Sequence, residues 1–306
     1  MRLSIVIPTL GRSGSLPNVV EALATQEPEL SDVEVLVVVD AAGPRELAVS
    51  GGGGGGGWTL RVLWASCPGA SGARNTGWHA ARAPLVLFLD DDIVPTSRLV
   101  AEHVAWHEAN PDREVGVLGL VRWSPQVKVT PFMRWLETGI QFDYDRIEGT
   151  EVGWQLFYSC NVSVKRVMLE LVGGFDEERF PYGYEDLELA RRLSERGFRV
   201  LYNPAALGHH LKVETLDDWR RNLRRIARSE RRFVGMYPGE VAYFHDRFRA
   251  AADQPHARGR SARLSRWIGP RVPLLGPFVW RSYDLVCSQR LAPEFLSEWE
   301  AAVELA

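Results

Sequence analysis

Short apolar runs, several of which end at a proline or an acidic residue, recur through the N-terminal part of this chain. They are rich in β-branched residues, which favours buried strands. Between the first two runs, leucines and valines fall at helical spacing, and this strand, helix, strand order implies a right-handed parallel crossover. The pattern predicts an α/β fold with a mainly parallel sheet flanked by helices. The predicted strands are Leu3–Ile7, Val33–Val39, Leu60–Trp64 and Leu85–Leu89.

Three consecutive carboxylates, Asp90, Asp91 and Asp92, directly follow the last of these runs. Ligands of open α/β sheets bind beyond the carboxyl ends of the strands, so the triplet lies where a ligand is expected. Like charges this close are costly unless a cation or water offsets them. A solvated turn or a helix cap also accounts for aspartates. Taken alone, the triplet therefore leaves a divalent metal site and a local turn as equal alternatives.

Composition narrows the class of protein. The chain has 306 residues, 45% of them hydrophobic and 25% charged, which is ordinary for a folded globular protein. Its net charge of -3 gives no general attraction to nucleic acid. The three cysteines have no metal-type spacing and fit a reducing compartment. There is no signal-peptide pattern and no apolar run of the roughly 18 residues that a membrane span needs. We expect a cytoplasmic protein that binds no nucleic acid, with peripheral membrane attachment left open.

Several features of the middle of the chain allow two interpretations. His103 and His107 stand four apart in a predicted helix, Pro95–Ala109, and without a neighbouring glutamate packing is favoured over metal ligation. The glycine tract Gly51–Gly57 lacks the spacing of a phosphate-binding loop, so we predict a flexible connection. Aromatic residues accumulate in residues 122–154, where they fit either core packing or a groove that stacks on a ligand.

A second acidic pair, Glu185 and Asp186, begins a predicted helix whose apolar stripe starts at Leu187. The helix dipole alone favours acids at this position. A carboxylate at a helix start is also rigidly aimed, which suits a general base. Residues 198–202 are predicted as a strand, and Gly208, His209 and His210 follow it along the chain.

The C-terminal part changes in composition from Trp219 onward. An arginine-rich predicted helix fits either a solvated face or an anion-binding surface. Asp253–Arg263 resembles a linker, and residues 264–306 mix apolar and basic side chains, which fits a membrane-surface anchor, a homodimer contact or ordinary packing. We predict two domains, residues 1–215 and a mainly helical extension at residues 216–306.

Eight motifs, each weak alone, occur in the order and spacing of family 2 glycosyltransferases with the GT-A fold, and the chain resembles that family over about residues 1 to 215. They are VIPTLGR at Val6–Arg12, VVVDAAGP at Val37–Pro44, GASGARNTG at Gly69–Gly77, FLDDDIVP at Phe88–Pro95, CNVSVKR at Cys160–Arg166, GGFDE at Gly173–Glu177, YEDLELARRL at Tyr184–Leu193 and the histidines after NPAALG. The resemblance implies a Rossmann-like mixed sheet and an inverting, metal-dependent transferase whose expected donor is a UDP-sugar.

The resemblance also implies roles for individual residues. Asp186 corresponds to the general base, with Glu185 placing donor or acceptor. Asp92 of the D-x-D element corresponds to the ligand of Mg2+ or Mn2+, and His209 completes the metal shell, although the adjacent His210 leaves the register open. An imidazole ligand favours Mn2+. The nucleotide-sugar contacts implied in the same way are Pro8, Thr9, Leu10, Arg12, Asp40, Arg74, Asn75, Asp90 and Asp91.

Two alternatives to a glycosyltransferase are a sugar nucleotidyltransferase and a non-catalytic scaffold. A sugar nucleotidyltransferase would carry a glycine-rich basic loop after the first strand, and Thr9–Arg12 is poor in glycine. A non-catalytic, membrane-associated scaffold is disfavoured by the intact acidic set. After Asp40 the chain has Ala41–Pro44 where the family carries polar residues, so the base-recognition segment departs from the family pattern. The acceptor is left open among a saccharide, a lipid-linked saccharide, a peptide and a small molecule.

Overall fold

The computed structural model describes residues 1–49, 57–255 and 276–302. The chain divides into two compact units, one formed by Met1–Lys128 with Asp143–Lys212 and the other by Val129–Phe142 with Val213–Ala306. The predicted boundary at residue 215 stays a prediction. Residues 50–56, which include most of the predicted glycine loop, and all of residues 256–275 lie outside the described residues.

Strands and helices alternate through most of the first unit. The order along the whole chain begins with β1 (Leu3–Thr9), α1 (Leu16–Ala24), β2 (Ser31–Val39), β3 (Gly57–Trp64), α2 (Ala70–Ala80), β4 (Leu85–Leu89), β5 (Ile93–Pro95), α3 (Leu99–Ala109) and β6 (Val115–Trp123). It continues with α4 (Pro131–Leu136), β7 (Glu151–Val152), β8 (Asn161–Lys165), α5 (Arg166–Val172), α6 (Glu185–Ser194), β9 (Arg199–His210), α7 (Leu216–Met236), α8 (Tyr243–Ala252) and α9 (Gly276–Ala301), with short 3-10 turns at Tyr144–Arg146 and Trp154–Leu156.

The strands of the first unit form a nine-stranded mixed sheet in the order β3-β2-β1-β4-β8-β6-β9-β5, with β7 paired to β9. Strands β1 to β4 run parallel, and β8 is antiparallel to both β4 and β6. Strands β6 and β9 are parallel. The carboxyl ends of β1, β2, β4, β6 and β9 therefore lie along one edge of the sheet, together with the start of β8. The predicted α/β class and the helical C-terminal region are confirmed.

The burial of the central strands explains the uninterrupted apolar runs in the sequence. In β4 all five residues are buried, and β2 is buried from Val33 onward, as expected for parallel strands covered on both faces. Small residues let α2 lie close to this sheet: a Cβ added to Gly77 would stand 2.3 Å from Cγ1 of Val6. The predicted helix at residues 71–81 forms despite its glycines because close packing requires them there.

Two predicted element boundaries are wrong for identifiable reasons. Strand β1 continues through Pro8 to Thr9, because the pairing of β1 with β4 ends at Val6 and only β2 continues beside Pro8. The predicted helix from Pro95 begins only at Leu99, since Ile93–Pro95 pairs as a short strand with the end of β9.

Strand β9 is longer than predicted. The sequence ends the strand at Tyr202, whereas the structure extends it to His210. The pairing with β6 shifts between Gly119 and Leu120, so that residues 204–206 form a bulge that accommodates Pro204. The two histidines consequently lie on a strand and not in a loop, which fixes the direction of each side chain.

The histidines of α3 belong to a buried polar network. Nδ1 of His103 lies 2.8 Å from Oγ of Ser163, and its Nε2 lies 3.0 Å from Oδ1 of Asn161. Nε2 of His107 lies 2.9 Å from the same serine oxygen. Burial lowers the pKa of His103 to about 4 and that of His107 to about 3, so both are neutral at pH 7. The packing interpretation of this pair is confirmed.

The second unit consists of α4, α7, α8 and α9. Helix α7 starts at a capping box in which Thr215 accepts from the backbone of Asp218 while Asp218 accepts from the backbone of Thr215. Segment α4 is held by Trp135, whose Nε1 donates to Oδ1 of Asp284 at 2.8 Å, and Arg247 donates to the same carboxylate. Among the described helices none combines the length and hydropathy that crossing a bilayer requires.

Candidate active site

Five carboxylates gather at the carboxyl edge of the sheet, and we call this cluster the acidic edge. The first three follow β4 and the other two begin α6. Asp90 is fixed by its own backbone N–H, which donates to the carbonyl of Cys160 at 3.1 Å. The members of the acidic edge are Asp90, Asp91, Asp92, Glu185 and Asp186.

Arg74 connects the two parts of the acidic edge. One terminal nitrogen donates to Oδ1 of Asp90 at 2.8 Å and the other to Oε1 of Glu185 at 3.1 Å. The guanidinium also lies 5.7 Å from the ring centroid of Phe175. Burial opposes its charge, but the two carboxylates outweigh that cost, so the pKa of Arg74 rises above its usual value. Arg74, which the sequence predicts as a contact to the nucleotide sugar, thus neutralises carboxylates of the protein itself.

The two acids of α6 have different surroundings. Glu185 is buried against Arg74, and burial, together with the neighbouring Asp186, raises the pKa of Glu185 to about 7. Asp186 is half-buried: its Oδ1 accepts from the backbone of Leu187 at 2.9 Å, and its Oδ2 has only a long contact of 3.5 Å with the backbone of Ser159. Burial raises the pKa of Asp186 as well. Oδ2 of Asp186 is the less engaged oxygen of this carboxylate.

The residue before this pair has an unusual backbone. Tyr184 has φ 63°, in the left-handed region, and Gly183 has φ 76°. Such a conformation costs a non-glycine residue on the order of 1 kcal/mol or more. The turn that aims Glu185 and Asp186 is therefore imposed by the surrounding structure.

Asp91 lies against the first loop. Its Oδ2 accepts from the hydroxyl of Thr9 at 2.5 Å, and the same hydroxyl oxygen accepts from the backbone N–H of Gly11 at 2.9 Å. Burial, then repulsion from Asp92, raises the pKa of Asp91 to about 7. Asp91 thus links the end of β4 to the loop after β1.

Asp40 organises the loops that follow β2 and β3. Its Oδ1 accepts from the backbone of Ala42 at 2.7 Å and its Oδ2 from the backbone of Gly69 at 2.5 Å. Nearby, Arg12 donates to the carbonyl of Ala42 at 3.3 Å, and Leu10 is 56% exposed, so its side chain is accessible. Pro8 is half-buried at the end of β1.

Asn75 uses all its hydrogen-bonding groups within the protein. Its Nδ2 donates to the carbonyl of Phe175 at 2.8 Å and to Oε2 of Glu177 at 2.9 Å. Its Oδ1 accepts from the backbone of Phe175 and from Nε1 of Trp78, each at 2.9 Å. The amide is thus saturated by the loop at residues 175–177 and by Trp78, and the predicted nucleotide contact of Asn75 stays a prediction.

The histidine beside the acidic edge is His210 and not the predicted His209. Nε2 of His210 lies 3.3 Å from Oδ2 of Asp92, and the two side chains are 5% and 19% exposed. Successive side chains of a strand point to opposite faces, so His209 cannot share that direction. This placement follows from β9 continuing to His210, which the sequence pattern did not reveal, and the choice between the two histidines as metal ligand stays a prediction.

Two models of known protein families match this chain. A family model described as glycosyl transferase family 2 matches residues 4–159, which is half of the chain. The chain belongs to glycosyl transferase family 2. A second model, described as the N-terminal domain of galactosyltransferase, matches residues 148–215, where Glu185 and Asp186 lie.

Relatives of this family 2 glycosyltransferase include validoxylamine A glucosyltransferase from Streptomyces hygroscopicus subsp. jinggangensis, which is 27% identical over 240 residues, covering 67% of this chain and 54% of the relative. Pre-mycofactocin glycosyltransferase from Mycobacterium tuberculosis is 30% identical over 155 residues, covering 49% of this chain and 32% of the relative. The chain therefore spans about half the length, or less, of these relatives.

Solved structures share the fold. The mannosyltransferase PcManGT from Pyrobaculum calidifontis, in complex with GDP-Man and Mn2+, matches with TM-score 0.59 and 18% identity over 96% of this chain and 87% of that one. S. aureus TarS 1-349 in complex with UDP matches with TM-score 0.51 and 15% identity over 100% of this chain and 92% of that one. The family 2 chain has the GT-A fold that its motifs imply.

The donor atoms at the acidic edge fit a divalent cation that substrate phosphates help to hold. Across the described ranges, no three His, Cys, Asp or Glu side chains are grouped to hold a metal ion by themselves. Hard cations at phosphate-transfer sites, however, take only one or two carboxylates and complete their shell with phosphate and water oxygens. Asp92, with its carboxylate, and His210, with its imidazole, are the side chains that would hold such a cation.

Sequence reasoning missed two neighbours of this site. Trp123 stacks on His210, with ring centroids 4.8 Å apart and an angle of 18° between the planes. Cys160 is buried beside the acids, and that burial raises the pKa of its thiol well above its usual value. The aromatic cluster predicted at residues 122–154 included Trp123, but only the pairing of β6 with β9 brings it to the histidine.

Proposed function

We propose that this chain is an inverting, metal-dependent glycosyltransferase that moves a sugar from a UDP-sugar to an acceptor hydroxyl. The observation that carries the proposal is the charge imbalance at the acidic edge. Asp90 and Glu185 contact one buried guanidinium, Arg74, while Asp92 contacts His210, and the charge of Lys212 acts on Asp91 and Asp92, so five carboxylates face two cationic side chains and one histidine. Such an excess of buried negative charge is stabilised by a cation.

The nucleotide is proposed to lie over the ends of β1 and β2. Asp40 holds the backbone of Ala42 and Gly69, and Asp91 holds Thr9, so the two loops are preorganised at the expected place for a nucleotide. Pro8, Leu10 and the backbone around Arg12 complete this loop pair. A TarS structure contains UDP and the mannosyltransferase structure contains GDP-Man, which supports a nucleotide sugar as the donor class.

Asp92 and His210 are proposed to hold the cation, with His210 in place of His209. Mn2+ is preferred because imidazole is a ligand that it accepts more readily than Mg2+ does. A divalent cation between the phosphates would stabilise the negative charge of the leaving diphosphate. Asp90 remains tied to Arg74, which leaves its second oxygen for the ribose or for water of the metal shell.

Asp186 is proposed as the general base. Its Oδ2 has only one long protein contact, so it can accept the proton of an acceptor hydroxyl, and its raised pKa improves it as a proton acceptor near neutral pH. Glu185 faces Arg74 and acts by fixing the start of α6. Attack by the hydroxyl from the face opposite the leaving diphosphate would invert the anomeric centre.

Donor hydrolysis tests the proposal without a known acceptor. The full chain is incubated with Mn2+ and, separately, UDP-glucose, UDP-galactose, UDP-N-acetylglucosamine and GDP-mannose, and the released nucleotide is quantified. We expect metal-dependent release from a UDP-sugar that Asp186→Asn removes, with the inverted sugar anomer visible first by NMR. Release of nucleotide from no donor, together with no metal-dependent UDP binding, would overturn the proposal.

A further inference from the structure

Trp123 and His210 are held together by the backbone as well as by their rings. They are register partners at the ends of the parallel strands β6 and β9, and Ser124 donates its backbone N–H to the carbonyl of His210 at 2.9 Å. On the other side, Leu211 donates its backbone N–H to the carbonyl of Asp92 at 2.8 Å. The main chain therefore fixes the starting points of all three side chains, Trp123, His210 and Asp92.

The indole then fixes the plane of the imidazole. The two rings are nearly parallel, at 18°, with centroids 4.8 Å apart, while Nε2 of the same imidazole lies 3.3 Å from Asp92. Rotation of the imidazole about its Cβ–Cγ bond would break the stack and carry Nε2 away from the carboxylate. Trp123 itself is half-buried at the end of β6.

We propose that Trp123 is a positioning residue for the cation ligand His210 and that its indole raises the affinity of the site for Mn2+. This inference rests on the proposed function, in which Asp92 and His210 hold the cation. A bound cation draws electron density from the imidazole, so the ring carries more positive charge when the cation is present. The electron-rich face of an indole attracts such a ring more strongly than a neutral one.

Only an interaction that differs between the free and the loaded site changes the affinity. The stack satisfies this condition in two ways. The stack lowers the entropy cost of cation binding, because the imidazole already has the orientation that binding requires. The stacking interaction also becomes stronger when the bound cation makes the ring more positive. Removing the indole should therefore weaken cation binding even in a protein that remains folded.

The experiment compares Trp123→Phe, Trp123→Leu and a matched control, Trp106→Leu, whose indole lies half-buried on α3. Binding of Mn2+ in the presence of saturating UDP is measured by the loss of the free Mn2+ signal in electron paramagnetic resonance. We expect Trp123→Leu to raise the Mn2+ dissociation constant about 3- to 10-fold, the range expected for losing a cation–π contact. Trp123→Phe, which keeps an aromatic face, should stay within about 2-fold, and Trp106→Leu should match the parent.

Fluorescence supplies a second readout, which tests whether the cation binds beside Trp123. Mn2+ quenches nearby indoles, so the parent and Trp106→Leu should lose emission on titration with Mn2+, and Trp123→Phe should lose much less. If Trp123→Leu fails to fold, as judged by circular dichroism, the Mn2+ dissociation constant of Trp123→Met, which keeps the bulk without an aromatic face, carries the test.

The outcomes separate this inference from the function on which it rests. A parent protein that binds Mn2+ and UDP, with unchanged affinity in Trp123→Leu and unchanged quenching in Trp123→Phe, overturns the role of Trp123 and leaves the proposed function intact. A parent protein that binds neither Mn2+ nor UDP overturns both.

Discussion

The acidic edge of the first unit and the arginine-rich helix α7 of the second unit both stand out in the sequence as runs of like charge, yet the fold treats them differently. In α7, Arg220 pairs with Asp217 and with Glu294, and Arg221 pairs with Asp218. Arg228 pairs with Glu298 at 2.5 Å, and Arg231 lies over the ring of Trp299 at 5.4 Å. Much of the positive charge of this helix is therefore matched by neighbours in its own unit.

The five carboxylates of the acidic edge are matched only in part by basic side chains, which include Arg74, His210 and Lys212. Arg74 contacts two of the five carboxylates, and the burial of Asp90, Asp91, Glu185 and Asp186 raises the pKa of each. A run of like charge along a sequence is therefore evidence for a ligand only where folding leaves part of that charge without a partner of opposite sign. For α7 this favours the solvated and paired interpretation over an anion-binding surface.

The largest effect is expected from Asp186→Asn, which removes the proposed base without changing the size of the side chain. Turnover of the donor should fall by about 10²- to 10⁴-fold, the usual contribution of general-base catalysis. Binding of UDP with Mn2+, measured by calorimetry, should survive. Unchanged turnover would show that Asp186 is not the base. The contrast with α7 would then rest on the other four carboxylates of the acidic edge.

Arg74→Met tests the internal counter-charge. Removing the guanidinium leaves Asp90 and Glu185 buried without their partner, and breaking a buried pair costs about 3 kcal/mol of unfolding free energy. Urea denaturation measures the change, and Arg74→Lys, which keeps one charge, should recover part of it. An Arg74→Met protein with unchanged unfolding free energy would show that Asp90 and Glu185 do not need the guanidinium to offset their charge.

The two adjacent histidines give a matched pair of variants. His210→Ala should weaken Mn2+-dependent binding of UDP by about 10-fold or more, as loss of a metal-site residue does, whereas His209→Ala should leave it unchanged. The reason is that only His210 faces Asp92. Calorimetric titration of UDP at fixed Mn2+ measures both, and the reverse result would restore the original assignment of His209.

The smallest effect is expected in α7. Arg228→Ala removes an ion pair whose arginine side chain is 58% exposed, and such surface pairs contribute roughly 0 to 1 kcal/mol. Urea denaturation of the single variants and of Arg228→Ala with Glu298→Ala gives the coupling energy, which should fall further in high salt. A loss as large as that of Arg74→Met would erase the contrast between the two regions.

The fold class could be predicted from the sequence because local patterns decide it. Buried strands such as β2 and β4 are apolar throughout, and α6 begins at two acids and carries an apolar stripe. The element boundaries were harder to predict. Pro95 joins a strand and Pro204 sits in a bulge because partner strands distant in sequence pair beside them.

The α/β class, the family motifs and the five acids could be recognised from the sequence alone, since each depends on residues close together in the chain. Only the tertiary structure decided that His210 and not His209 faces Asp92, that Asn75 is saturated by a loop and that Arg74 serves two carboxylates. It also decided that the arginines of α7 meet acids on α9. These outcomes depend on strand register and on contacts between distant residues, because a side chain's direction and its neutralising partner are set by which elements lie side by side.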